Sequence, residues 1–248
     1  MDPTATRIHE ALQAVALLRA QHIADADLMR ASADIKRFQA LRFRATYADV
    51  LLSSRYKTAA AFFLHELYSD KDYAQRDQQF ARIAGTIARL FPQAVVNTAA
   101  ALAEVHALTE KLDDQMARQW LSSFGTAPEL GENARYMACW RQVGDMQARQ
   151  KQLEVVLLLG KELNRLTRMP GLRTLLKMMR RPASVAGLNS LQEFLEAGFD
   201  AFAGMHGADV FLKLIEQRET EWITTLFNED TVTCETKLGH LLGSNPLS

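Results

Sequence analysis

The chain has 248 residues, of which 48% are hydrophobic and 23% are charged. These proportions exclude an intrinsically disordered, collagen-like or disulfide-dense chain. Because 29 acidic residues balance 29 basic ones, no net charge draws the protein toward nucleic acid, and we predict no nucleic-acid partner.

The sequence predicts an all-α fold. Gly and Pro are sparse, at 12 and 6 residues, and the stretches between them are rich in helix-favouring residues. Apolar residues recur at three- and four-residue steps, and no alternation is long enough to build a sheet. In chain order, the predicted helices cover about 4–23, 27–52, 56–67, 73–91, 92–123, 132–169, 172–180, 191–202 and 211–222. We therefore predict a bundle of about eight to nine helices.

Glycine, proline and capping residues set the expected boundaries. Thr4 is the predicted N-cap of the first helix, and Gly144 a predicted kink in the helix over 132–169. We predict one domain over 1–248, and the loop at 122–133 is where a division would fall. Residues 231–248 lack clear periodicity, which favours a loose C-terminal tail.

Three polar residues fall on helix faces that should point inward. Asp77 shares the apolar stripe of the fourth helix, and His106 and Asp113 lie on or beside the inward face of the fifth. If Pro92 marks a tight antiparallel turn, Asp77 lies 15 positions before it and His106 14 positions after it, so the two should be level. We predict an Asp77–His106 contact, with Asp113 in the same environment.

This cluster has a functional and a structural interpretation, and the sequence leaves both open. In the first, His106 is a general base or metal ligand, Asp77 orients it, and Asp113 is a second ligand or acid. The predicted neighbours are His65, Glu66, Arg76 and Glu110. In the second, the cluster is a satisfied structural network. No cofactor is predicted, a divalent metal is left open, and no di-iron, zinc-protease, nucleotide or serine-hydrolase motif occurs.

Two stretches carry a family resemblance. Residues 62–68 read FFLHELY and residues 76–80 read RDQQF, and both resemble an uncharacterised family of all-helical bacterial proteins. The resemblance extends through 140–144 and 198–202. It implies a single folded unit and brings no activity, cofactor or ligand.

Charge is segregated within the neutral chain. Residues 165–181 contain six cations and no acid, and an apolar stripe beside them. Arg173, Lys177, Arg180 and Arg181 are the candidates for an anion-binding or membrane-surface site. The alternative is that these cations face the acidic C-terminal helices, within the chain or across a dimer.

Arg42 and Asp49 are a further polar pair on the helix predicted over 27–52. They lie seven residues apart, near the side of Ile35 and Phe38. We predict a structural ion pair between them.

Cysteine usage and hydropathy bear on location. Cys139 and Cys234 match no metal-binding or redox spacing, and no stretch is long and apolar enough for a transmembrane segment. We expect a soluble cytoplasmic protein. The leading hypothesis is a self-associating binding or regulatory protein whose ligand and partners are unknown, and the alternatives are an enzyme or metal-binding protein and a peripheral membrane protein.

Overall fold

A computed structural model describes residues 2–66, 73–126 and 130–243, without the side chains of 90 and 124–126. These residues form thirteen helices and no strand, which confirms the all-α class. The helices are α1 (Pro3–Ala24), α2 (Ala26–Thr46), α3 (Ala48–Leu52), α4 (Lys57–Glu66), α5 (Ala74–Leu90), α6 (Gln93–Thr126), α7 (Glu132–Val143), α8 (Met146–Leu166), α9 (Leu172–Met178), α10 (Arg180–Val185), α11 (Asn189–Gly204), α12 (Asp209–Asn228) and α13 (Thr231–Gly243).

The predicted number of eight to nine helices is wrong, because two predicted helices are divided and α10 and α13 were not predicted. The helix over 27–52 breaks at Tyr47, between α2 and α3. The helix over 132–169 breaks at Gly144, whose φ of 67° is left-handed and ends α7. The side chain of Asp145 then caps α8. Gly144 is therefore a helix end rather than a kink.

Both ends of the described chain differ from the prediction. Asp2, not Thr4, caps α1, because its carboxylate accepts from the backbone N–H of Thr4 at 2.8 Å. The loose tail is wrong over 231–243, since α13 buries Cys234 and Leu238 completely. Both residues belong to the apolar cluster around the second half of α6, and Leu242 packs against it.

Some predictions concern residues that the structure leaves out. Three parts of the predictions lie outside the described residues: 67–72, between the helices predicted over 56–67 and 73–91, the middle of the loop at 122–133, and 244–248 of the predicted tail. On either side of that loop, α6 continues to Thr126 and α7 begins at Glu132. A domain division at this place stays a prediction.

Helix α6 is the longest described element and organises the core. Its 34 residues extend about 50 Å, and it contacts α1, α2, α5, α7 and α8. Its first half joins α1, α5 and α11 in one apolar cluster, and its second half joins α2, α7, α12 and α13 in another. A third cluster lies among α2 to α4, α8, α11 and α12. The middle of α6 therefore lies between the first two of these clusters.

The α5–α6 connection brings the candidate residues together. Phe91 ends α5 in an extended conformation, and Pro92 precedes the first turn of α6. Helix α1 packs against both α5 and α6. This arrangement leaves a cavity whose wall includes both helices.

Candidate functional site

A cavity of about 390 Å³ lies beside the middle of α6. Its wall comes mainly from α4, α5, α6, α8, α9 and α11, with two residues from α2 and one each from α1 and α10. Most of the lining side chains are apolar, and representative ones are Phe80, Ile87, Leu102, Leu159, Leu176 and Phe194. The volume falls within the range of small-molecule sites, roughly 300–1,000 Å³.

One part of the wall is polar. We call it the polar cluster, and it consists of Lys36, Gln39, Asp77, His106, Glu110 and Asp113. Successive turns of α6 supply His106, Glu110 and Asp113, while α2 and α5 supply the side chains that bond to them. The cavity is therefore amphipathic, with an apolar body and a polar cluster.

The predicted contact between Asp77 and His106 is confirmed. His106 Nε2 lies 3.0 Å from Asp77 Oδ2, and Arg19 and Arg76 bind the same carboxylate at 3.1 and 3.4 Å. Burial alone would raise the pKa of Asp77, but His106, Arg76 and Arg19 outweigh burial and hold that pKa below its ordinary value. Asp77 is therefore a stable anion that fixes the imidazole.

Tyr73 and Arg76 complete the surroundings of His106. The Tyr73 ring lies edge-on to the imidazole, with ring centroids 6.4 Å apart, and the Arg76 guanidinium lies over the Tyr73 ring. Tyr73 donates to the backbone oxygen of His65, and Arg76 to that of Glu66. The predicted neighbours of His106 therefore have different positions. The side chain of His65 is exposed and only its backbone oxygen binds Tyr73, whereas Glu66 and Arg76 line the cavity.

Asp113 lies on the cavity wall but apart from the Asp77–His106 pair. Its Oδ1 accepts a hydrogen bond from Gln39 Nε2 at 3.0 Å. Burial raises its pKa above the ordinary value, Glu110 raises it further, and the charges of Lys36 and Arg149 only partly offset this. In the described part of the chain, no three His, Cys, Asp or Glu residues are placed to hold a metal ion. The structure therefore joins His106 to Asp77 and gives Asp113 a different partner.

Glu110 is neutralised by a residue that the sequence did not single out. Lys36 Nζ donates to both carboxylate oxygens, at 2.8 and 2.9 Å. Both Lys36 and Gln39 belong to α2, one turn apart. Gln39 lies on the inward face of α2, four residues after Ile35, so the signal that identified Asp77 on its apolar stripe also marks Gln39.

The basic segment pairs within the chain and covers the cavity. Arg173 binds Asp200 at 2.8 Å, and Arg180 Nε binds Glu196 at 2.7 Å. Two of the four candidate cations therefore face acids of α11, which agrees with the predicted alternative of pairing with the acidic C-terminal helices. Lys177 and Arg181 are exposed. The apolar side of α9 and α10 lines the cavity through Leu172, Leu175, Leu176, Met179 and Ala183. We call α9 and α10 together the roof.

A second histidine–aspartate pair lies outside the cavity wall. His22 Nε2 lies 2.9 Å from Asp114 Oδ1, and Arg118 binds the other oxygen of that carboxylate. Like the Asp77–His106 pair, it joins two helices in largely buried surroundings. It is therefore a natural comparison for His106.

The predicted pairing of Arg42 with Asp49 is wrong. Arg42 is buried and binds Glu219 at 2.8 Å, and Tyr47 donates to the same carboxylate at 2.8 Å. Asp49 binds Arg218 instead. The partner comes from α12, far along the chain, so spacing within α2 could not reveal it.

Comparisons with known proteins agree with the expected uncharacterised family. No helix of the described residues has the length and apolar character needed to cross a bilayer. No curated protein and no solved structure matches the chain. The sequence model of the family described as a domain of unknown function (DUF8198) matches residues 18–233, which include every residue of the polar cluster. The chain belongs to this family.

Proposed function

We propose that this protein binds an apolar small molecule in the cavity, with the polar cluster orienting the polar end of that molecule. The observation that carries the proposal is the cavity itself, about 390 Å³ with mostly apolar walls. Protein interiors are close-packed, and voids larger than a water molecule are few. Since the apolar side chains of a cavity gain dispersion contacts from a molecule that fills it, a cavity of this size favours a ligand of matching volume.

A neutral fluorescent probe tests this proposal. N-phenyl-1-naphthylamine emits strongly in apolar surroundings, so titration should give saturable binding of one molecule per chain. The substitution Ala99→Phe places a ring on the cavity wall and should weaken binding at least about tenfold. Native mass spectrometry of the purified protein would also detect an apolar molecule that is carried through purification.

The matched control is Ala101→Phe, which makes the same substitution two residues along α6 but outside the cavity wall. This variant should bind the probe as wild type does. Probe binding that is absent in the wild type, or that both variants retain fully, would contradict the proposal.

A second candidate function is proton transfer by His106, favoured by its contact with Asp77 on the cavity wall. A carboxylate at one ring nitrogen fixes the tautomer and leaves the other nitrogen to accept a proton. With Asp77 as the positioning residue, His106 would act as a general base on a substrate held in the cavity.

The probe reaction is the opening of 5-nitrobenzisoxazole, in which a base removes the carbon-bound proton and the ring N–O bond breaks to give a coloured phenolate. Wild type should accelerate this reaction, and His106→Asn should abolish the acceleration. His22→Asn is the matched control, because His22 has an equivalent aspartate contact but lies off the cavity wall. Equal rates in all three proteins would end this candidate.

The proposal also covers oligomeric state and location, namely a self-associating protein of the bacterial cytoplasm. The buried free thiols of Cys139 and Cys234 suit a reducing compartment. Light scattering on a sizing column should give a mass above 27.8 kDa, and a monomer at every concentration would contradict self-association.

A further inference from the structure

More acidic than basic side chains line the cavity. Among the described lining residues, four are carboxylic acids, Glu66, Asp77, Glu110 and Asp113, and two are permanent cations, Lys36 and Arg76. Arg19 binds Asp77 and the charge of Arg149 acts on Asp113, both from outside the wall, so the sign of charge that the site favours depends on how each acid is paired.

The acids differ in how they are neutralised. Asp77 receives Arg19, Arg76 and His106, and Glu110 binds Lys36 through both oxygens. Asp113 makes no salt bridge to any described residue, and its hydrogen-bond donor there is the neutral amide of Gln39. The nearby charges of Lys36 and Arg149 offset its burial only in part, and its residue surface is only 4% exposed, so bulk water does not supply the remainder.

We propose that the ligand is an amphiphilic amine, whose ammonium head binds the carboxylate of Asp113 and whose apolar body lies along the cavity. The inference rests on the proposed binding function and adds the chemical class of the ligand. An ammonium group supplies both the charge and the hydrogen-bond donors that Asp113 lacks. The apolar wall between α5, α8 and α11 then covers the remainder of the molecule.

The same wall disfavours the opposite head group. A carboxylate or phosphate near Asp113 would meet a second buried negative charge, which is unfavourable at low dielectric. The two lining cations are already engaged, Lys36 by Glu110 and Arg76 by Asp77, so an anionic head would have to displace one of these contacts. A neutral hydroxyl could donate to Asp113 but would leave its charge uncompensated.

Three probes with the same ten-carbon chain test this inference at neutral pH: decylamine, 1-decanol and decanoate. Calorimetric titration below the micelle concentration should show decylamine binding at least about tenfold more tightly than 1-decanol, with decanoate weakest. In Asp113→Asn, the advantage of the amine over the alcohol should fall to about threefold or less.

The control is Asp114→Asn, the same substitution at the next residue, whose carboxylate binds His22 and Arg118 away from the cavity. It should retain the wild-type order of affinities. Should either variant fail to fold, the order of the three probes on wild type still decides. Equal binding of all three, preference for decanoate, or an amine advantage unchanged in Asp113→Asn overturns the inference and leaves the proposed function standing. If none of the three probes binds and N-phenyl-1-naphthylamine does not bind either, both this inference and the proposed function are overturned.

Discussion

The amide of Gln39 donates a 3.0 Å hydrogen bond to the carboxylate of Asp113, and this neutral contact stabilises a buried acid less than a cation would. An acid kept for ligand binding is expected to lower the stability of the ligand-free protein. We therefore predict that Asp113→Asn raises the free energy of unfolding by about 1 kcal/mol at neutral pH, since an asparagine oxygen can still accept from Gln39. Urea denaturation of both proteins measures this difference.

The gain should depend on pH in a defined direction. Burial raises the pKa of Asp113 in the folded state above its unfolded value, so its favourable contribution is complete below about pH 4 and is lost as the pH rises through the folded pKa. Asp113→Asn should accordingly differ little from wild type at acidic pH and exceed it most at neutral pH. A loss of stability in Asp113→Asn at pH 7 would instead indicate a structural role for this acid.

Asp77 should behave in the opposite way. His106, Arg76 and Arg19 hold its pKa below the ordinary value, so its contribution is present above the unfolded pKa and is lost as the pH falls through the folded pKa. We predict that Asp77→Asn costs about 2 kcal/mol at neutral pH and that the difference from wild type shrinks below about pH 4. Unfolding curves at several pH values test this, and a difference that is constant with pH would contradict it.

The contacts of Asp77 and Asp113 differ in how far they could be predicted from the sequence. The Asp77–His106 contact follows from helical periodicity and a single turn at Pro92, because both residues belong to consecutive helices. Gln39 reaches Asp113 from α2, 74 positions away, and no local pattern encodes that contact. The all-α class was predictable from composition and periodicity, whereas the cavity depends on how distant helices pack.

The buried ion pair of Arg42 and Glu219 is the part of the core where removing one charge should matter most. Arg42 and Glu219 are both buried, and the Arg42 guanidinium also lies over the Phe43 ring. We predict that Glu219→Gln costs about 3 kcal/mol, because it leaves a buried cation without its counter-charge. Chemical denaturation measures the loss.

The matched control for Glu219→Gln is Asp49→Asn. Asp49 also binds an arginine, Arg218, but its side chain is 65% exposed, so water screens the pair. The loss should stay below about 1 kcal/mol. Equal losses in the two variants would show that burial does not set the strength of these pairs.

The Arg180–Glu196 pair fastens the roof to α11, so it should control how often the cavity opens. The hydrogen bond from Arg180 lowers the pKa of Glu196 to about 2, so this carboxylate is ionised at neutral pH. We predict that Glu196→Gln speeds amide hydrogen exchange in residues 172–185, because loss of this contact favours local opening. Release of N-phenyl-1-naphthylamine, followed by stopped-flow fluorescence, should accelerate in parallel. Glu162→Gln removes the half-buried partner of Arg165 on α8, outside the roof, and should change neither rate. Faster exchange at the roof with unchanged release of the probe would show that ligands leave the cavity by another route.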